Sequence, residues 1–491
     1  MSVEIETTGT DRREAHESPQ DALAEVTTLL RRHRLIEGLV YEQMEHGLGA
    51  DRSDLVDSLV FRQDKAVLQR KLDTLHPADI AFVLEALPLD ERLYIWDLVK
   101  AERDGDILLE VSDAVRESLI SSMDTEELVA ATESLETDEI AELAPDLPQE
   151  VIDDVFKSLP VEEREQLRAA MSFDDDMVGA LMDFEDVSVR PDVTLEVVLR
   201  YLRRFDELPS HTDQLFVVDR QESLLGVLPV GKLLVNDPER TVAEVMEAPQ
   251  VKLLQHEKAD EAAHAFERYD LVSAPVVDTN DKLVGRVTVD EILDFVRESG
   301  EEDLLAQAGL REEEDVFASV WASFKNRWAW LAVNLVTAFI ASRVIGLFEG
   351  SIEKLVALAA LMPIVAGIGG NSGNQTITMI VRAAALGQVT VANARQLIRK
   401  EIVVSLINGV IWGGVMGLVA MMLYRDVALG LVMVLAMTLN LMLAALMGVL
   451  IPMAMIRYGR DPALGSSVLI TAVTDSGGFF IFLGLATLFL V

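Results

Sequence analysis

Asp475 is the one ionisable side chain in the apolar run from Leu464 to Val491. At ~1.5 Å per helical residue that run can cross a bilayer, and Asp475 falls roughly halfway through the ~30 Å hydrocarbon core. A carboxylate there costs at least ~2.5 kcal/mol on insertion, so it belongs in a bundle interior or a water-filled path and marks an ion or proton route. A second polar group interrupts another apolar segment: Pro363, then Gly369-Gly370-Asn371-Ser372-Gly373-Asn374-Gln375-Thr376. Glycines four apart let helix backbones approach, which packing alone explains. Amides in mid-bilayer need partners or water, which points to a pore lining. Glu401, Asn408 and Asn440 are further polar residues in apolar runs. Glu401 follows Arg399-Lys400 and reads as interfacial; Asn440 reads as a packing hydrogen bond. The chain has no cysteine, and its seven histidines show no ligand spacing. A bound metal should therefore be a hard cation held by oxygen, such as Mg2+ or Ca2+.

Five apolar segments would carry these groups, at about 328–348, 355–381, 402–424, 427–456 and 464–491. Basic residues gather before the first (Lys325, Arg327), between the second and third (Arg382, Arg395, Arg399, Lys400), and between the fourth and fifth (Arg457, Arg460). The opposite loops hold Lys354 and Arg425, with Arg343 near an end. That bias puts the amino terminus in the cytoplasm and the carboxyl terminus outside.

Charge divides the chain at the same place. Residues 317–491 have 11 basic and 6 acidic side chains, whereas the first 316 have 31 and 76. Such an acidic soluble region repels nucleic acid and concentrates cations. Residues 1–20 are polar and lack an apolar core, so a disordered tail without a signal peptide is expected. Residues 21–175 read as short helices, with apolar positions three and four apart in Leu55-Leu59-Val60 and Ile80-Val83-Leu84-Leu87 and punctuation at Leu87-Pro88, Leu147-Pro148 and Leu159-Pro160. Stacked helical hairpins forming a small superhelix follow from that pattern. Residues 176–300 hold a duplication: Leu215-Phe216-Val217-Val218-Asp219 and Leu224-Leu225-Gly226-Val227 return as Ala274-Pro275-Val276-Val277-Asp278 and Leu283-Val284-Gly285-Arg286-Val287. Each copy reads as strands closed by an Asp turn and a helix, and the pair resembles tandem CBS domains, which dimerise and sense nucleotides or ions. Gly226 to Leu233 imitates a phosphate loop, but Leu233 stands where Ser or Thr must meet Mg2+, which argues against a nucleotide hydrolase. Residues 301–326 form a helical linker to the membrane domain at 327–491; it reads either as a plain amphipathic surface helix or as a gating element.

Taken together, Pro363, the run at 369–375, Lys400-Glu401, Asp461-Pro462-Ala463-Leu464, Thr474-Asp475 and His76-Pro77-Ala78-Asp79-Ile80 resemble the MgtE family of magnesium channels. The resemblance covers nearly the whole chain. It implies a multidomain fold: an all-α superhelical N domain, α/β tandem CBS domains, a connecting plug helix, and an α-helical transmembrane domain with five helices. It also implies a homodimer in the inner membrane of a bacterium, touching lipid and binding no nucleic acid and no small molecule beyond divalent cations. On this resemblance Asp475 binds Mg2+ in a pore on the twofold axis, with Thr474, Pro363, Gly370, Asn371, Gly373, Asn374 and Gln375 along the ion path. Regulatory Mg2+ in the cytosol would close the channel through Asp270, Glu291, Asp294, Glu302, Asp303 and Asp461, and more loosely through Asp138, Glu139 and Glu142. ATP at the CBS pair is compatible with the resemblance, although no motif here supports it. Gly300-Glu301 and the acidic stretch Glu312-Glu313-Glu314-Asp315 depart from the family pattern and leave the number of sensor sites open. No nucleophile–base pair or metal-hydrolase spacing points to an enzyme. Two other readings remain: a secondary-active exchanger that couples Mg2+ to Na+ or H+, and a regulatory protein merely anchored by its spans.

Overall fold

Between residues 77 and 170, helical segments begin at Pro77, Leu89, Ala101 (a 3-10 turn that runs into the helix Asp104–Glu110), Asp113, Thr125, Thr137, Gln149 and Val161, one every twelve residues. Two positions before each start sits an apolar residue (Leu75, Leu87, Val99, Val111, Met123, Leu135, Leu147, Leu159), and all eight pack into one core. The residue between them is the N-cap: His76, Pro88, Lys100, Ser112, Asp124, Glu136, Pro148 and Pro160. Asp124 shows why the beat holds. Its carboxylate accepts from the Glu127 amide at 2.9 Å, and Glu127 accepts from the Asp124 amide at 2.9 Å, a capping box that starts the helix at a fixed place. Helices this short are marginal alone and are stabilised by burying one face against their neighbours, the logic of a helical repeat.

The computed structural model describes the chain except residues 1–17, 46–64, 206–207, 311–314, 386–392, 459, 461, 463 and 464, and except the side chains of 36–45, 303, 307 and 385. The pattern Leu55-Leu59-Val60 therefore lies outside the described residues. The chain forms two units, Met1–Glu298 with Asp315–Ala318, and Ser299–Glu314 with Ser319–Val491.

In the first unit the duplication is two three-stranded sheets. In one, β1 (Ser188–Val189) pairs parallel with β2 (Gln214–Val218), which pairs antiparallel with β3 (Leu224–Pro229). In the other, β4 (Leu253–Leu254), β5 (Ser273–Val277) and β6 (Leu283–Thr288) repeat that order. The register slips at Val217/Val218 in the first sheet and at Val276/Val277 in the second. Each slip precedes a turn in which one aspartate oxygen takes two amides. Asp219 accepts from Gln221 and Ser223, and Asp278 from Asn280 and Lys282. These Asx turns explain why Asp closes both strands.

The second unit is a helical bundle. Among the described residues, four helices are long and apolar enough to cross a membrane: Val320–Gly346, Ala394–Tyr424, Val427–Arg457 and Ser466–Phe489. They mark an integral membrane protein. Five such segments are expected from the sequence. The remaining one is a 29-residue helix, Ala357–Ala385, but its glycines and amides at 369–376 dilute its hydropathy, so apolarity alone does not qualify it.

Glycines set the helix spacing here. On Ala394–Tyr424 the buried residues Glu401, Ser405, Gly409, Gly413 and Gly417 recur every four residues, the spacing of one helix face. A Cβ at Gly409 would stand 2.6 Å from Thr438 Cα, and one at Gly417 2.6 Å from the Gly430 carbonyl oxygen. Without a side chain the two backbones touch, which is how helices gain packing energy in lipid. Gly409→Ala is expected to cost about 1–3 kcal/mol by overpacking, and a lower melting temperature in detergent with unchanged proteolysis of the first unit would register it.

Candidate functional site

The residues singled out along the Pro363 helix separate onto two faces. Pro363, Gly367, Asn371 and Gln375, four apart, are exposed, whereas Gly369, Gly370 and Gly373 are buried. The buried glycines are contact points. A Cβ at Gly373 would lie 2.5 Å from the Ile470 side chain, and one at Gly370 3.7 Å from Thr474 Oγ1. Thr474 is itself fully buried, and its hydroxyl donates to the Ile470 carbonyl at 2.9 Å. Thr474, Gly370 and Gly373 therefore pack helix to helix. Asp475, the next residue, is half-buried, about 100° further round its helix. Asn374 is partly buried, and its Oδ1 has no hydrogen-bond partner among the described residues. Pro363 supplies no amide to bond the Ala359 carbonyl, which loosens the helix on the same exposed face.

Asn440 holds this arrangement from behind. It is fully buried, and its Nδ2 donates to the Val365 carbonyl at 2.9 Å. A Cβ at Gly369 would fall 2.2 Å from that nitrogen and one at Gly478 2.7 Å. One amide thus fills the gap left by two glycines on two other helices, in keeping with the packing role its sequence context indicates. Asn440→Ala is expected to lower bundle stability by about 0.6–1.7 kcal/mol, the range for interhelical hydrogen bonds in membranes, read as a lower melting temperature in detergent. Glu401, expected at an interface, is buried (7 % exposed) on the glycine-lined face and lies 3.5 Å from Lys400.

A second constellation lies in the first unit. Oxygens of Glu136, Asp138 and Asp183 lie within 4.8 Å of one another. Burial, reinforced by Asp183, raises Asp138 to about 7. Burial, then Glu185, Glu139 and Asp183, raise Glu136 to about 7. Glu291 is pushed to about 8 by burial and then by Asp138, Asp290, Glu142 and Asp294. Oδ1 of Asp138 and Oδ1 of Asp290 are buried without a hydrogen-bond partner among the described residues. Carboxylates this close, with orphaned oxygens, are an oxygen donor set for a divalent cation. Two of the group are otherwise engaged. Asp183 accepts from Arg286 Nε at 2.8 Å and Nη2 at 2.7 Å, and Glu139 accepts from the Glu136 amide at 2.8 Å.

Of the expected sensor residues, the structure brings Asp138, Glu139, Glu142, Glu291 and Asp294 into this constellation. Glu142 also pairs with Arg116 at 3.0 Å. Asp270 is not among them: it ends the helix Ala259–Tyr269 in a left-handed conformation, φ 51°, and is exposed. Glu302 is exposed on Val289–Ala308. Asp461 and the side chain of Asp303 lie outside the described residues. Sequence reasoning missed Glu136, Asp183 and Asp290. Glu136 had a signal, two residues before Asp138 at an N-cap; Asp183 had none, since its partner is 103 residues away.

The helix Val289–Ala308 crosses from the first unit to the second. In the second, Ala306 packs with Ile377, Val381, Ile451 and Ile470. Gly309 ends it at φ +83°, with Trp330 so close that a Cβ would overlap the indole. A cavity of about 340 Å³ on the second repeat of the duplication is lined by residues including Gln255, His256, Glu257, Glu261 and Thr279. Its two carboxylates oppose a polyphosphate.

Three families match the chain: the MgtE intracellular N domain over residues 75–176, the CBS domain over 178–236 and 242–298, and the MgtE divalent cation transporter family over 362–485. The chain is 30 % identical over 442 residues to the magnesium transporter MgtE of Thermus thermophilus, covering 87 % of this chain and 96 % of that one. It is 26 % identical over 419 residues to the magnesium transporter MgtE of Bacillus subtilis, covering 85 % and 93 %. Among solved structures, the cytosolic domain of the Mg2+ channel MgtE in complex with ATP is 28 % identical, covering 48 % of this chain and 97 % of that one, with a TM-score of 0.44.

Proposed function

Because the chain belongs to the MgtE family, we propose that it is a channel for Mg2+, closed from the cytosolic side by Mg2+ itself. The observation that carries this reading is the exposed stripe of Pro363, Asn371 and Gln375, four or eight apart on one helix of a bundle whose exposed surface is mostly large hydrophobic side chains. Amides facing hydrocarbon are costly, so the stripe calls for water, an ion or a second copy of the chain. The helix Val320–Gly346 buries only Ala341, which also favours a homodimer. Across a twofold axis two Asp475 carboxylates would offer −2 to a divalent cation. Mg2+ sheds its water reluctantly, so such a site would hold it hydrated, with the carbonyls and amides of the stripe in the outer sphere. Few ligands also keep the ion from binding too tightly to leave.

The Ala357–Ala385 helix then serves as a fifth span, and the loop charges put the acidic unit in the cytosol. There Asp138, Glu136 and Glu291, with Asp294 and Glu142 at the edge, would hold regulatory Mg2+. Binding favours the compact arrangement by mass action, and its loss lets like charges separate. The helix Val289–Ala308 is the gating element in this reading, since its end packs on residues of three membrane helices. Patch-clamp recording of the full-length protein tests the proposal. Single-channel Mg2+ currents that fall as cytosolic Mg2+ rises are expected; flux that needs a Na+ or H+ gradient would establish an exchanger instead.

A further inference from the structure

Arg92 is completely buried in the helical superhelix. Its Nε donates to the Leu84 carbonyl at 2.9 Å and its Nη2 to the Leu87 carbonyl at 3.1 Å. Arg116 repeats this one hairpin later: its Nε donates to Leu108 at 2.8 Å and its Nη2 to Val111 at 3.5 Å. The spacings, eight and five residues back from each arginine, are the same in both. What differs is the counter-charge. Arg116 meets Glu142 at 3.0 Å and Asp146 at 3.4 Å, 26 and 30 residues onward. At the same distances from Arg92 the chain has Ser118 and Ser122. Ser118 accepts from Arg92 Nη1 at 3.3 Å and gives its own proton to Val115; Ser122 turns to Leu119. A buried guanidinium with only neutral partners is strongly unfavourable.

The missing carboxylate comes from 223 residues away. Arg92 Nη1 donates to Asp315 Oδ2 at 2.7 Å, the two side chains being 0 % and 9 % exposed. Asp315 is the first residue of a tight turn, with Oδ1 taking the Phe317 amide at 2.9 Å and its carbonyl taking the Ala318 amide at 2.9 Å. Ser319 then caps Val320–Gly346. Burial would push the Asp315 carboxyl up, but the hydrogen bonds from Arg92 and the Phe317 amide, with the guanidinium charge, hold it below the ordinary carboxylate value. The pair is therefore charged throughout the neutral range.

We infer that the Arg92 repeat is a carboxylate socket, left open by the Ser118 and Ser122 substitutions within the repeat, and that Asp315 docks in it to clamp the segment entering the first membrane helix onto the superhelix. The clamp is separate from any cation site, because both its charges are already satisfied.

Hydrogen exchange and thermal melting of the full-length protein test it. Asp315→Asn should speed exchange of the Phe317 and Ala318 amides by at least about tenfold, as expected for a lost hydrogen bond between charges, and lower the first melting transition. Ser118→Glu, which gives the repeat its own carboxylate as at Arg116, should compete with Asp315 and speed the same amides without lowering that transition. Adding Ser118→Glu to Asp315→Asn should restore the melting temperature but not the amide protection. If Asp315→Asn misfolds, the Ser118→Glu protein alone decides. Unchanged exchange at Phe317 and Ala318 in either variant, or no recovery of melting in the double variant, would overturn the inference.

Discussion

Asp475→Ala is expected to abolish Mg2+ flux into liposomes, a loss beyond the roughly 10–100-fold that removing an outer-sphere partner costs a metal site. The reason is charge count. Under the proposed twofold symmetry the substitution takes the site from −2 to neutral, and a hydrated divalent ion then meets only dipoles in a low-dielectric slab. Oligomer size and melting temperature should hold, because Asp475 is partly exposed whereas its neighbour Thr474 is in the packing. Thr474→Val provides the contrast. It removes the hydrogen bond to Ile470 and should lower stability while leaving ion selectivity alone. Normal flux through Asp475→Ala would remove that carboxylate from the path.

Neutralising Asp138, Glu291 and Asp294 together, as Asn, Gln and Asn, is expected to leave the channel conducting at millimolar cytosolic Mg2+. The pKa shifts give this a pH signature. Glu136, Asp138 and Glu291 rise from ordinary values of 4.5, 3.8 and 4.5 to about 7, 7 and 8. The folded unit thus binds more protons than the unfolded chain between those limits, so its stability falls as pH rises through them. The penalty is absent below the unfolded values and complete above about pH 8. On the proposed sensor, Mg2+ would replace those protons. Without divalent cations the melting temperature should decline from pH 5 to pH 8; with saturating Mg2+ the decline should flatten, and apparent Mg2+ affinity should increase with pH. The triple variant should lose most of both effects. Intact inhibition by Mg2+ in that variant would move the sensor elsewhere.

The duplication was legible because β-strands advertise themselves: a short apolar run, an Asp turn and a second run recur with the same register slip. The twelve-residue beat was harder to read. Leu87-Pro88, Leu147-Pro148 and Leu159-Pro160 stand at multiples of twelve, yet the N-cap position between them is filled by His, Lys, Ser, Asp or Glu elsewhere. Many residue types can occupy an N-cap, so the repeat shares geometry more than letters. In the apolar bundle the motif names a turn of helix but not its faces. Thr474 is buried in the packing and Asp475, the next residue, is only partly buried, because one residue is about 100° of rotation. The same amides that drew attention to Ala357–Ala385 also lowered its hydropathy. Long-range pairs such as Asp183 with Arg286 and Arg92 with Asp315 leave no local trace at all.

Uniform spacing of the short helices in the first unit has a mechanical side. A stack in which each member leans only on those nearby behaves as a coil spring. Load applied at one end is shared as a small twist per layer, and no single hinge must bend far. If the inferred Asp315 clamp holds such a spring near its first turns, where Arg92 sits, a twist would gather in its later turns, those carrying Glu136 to Glu142.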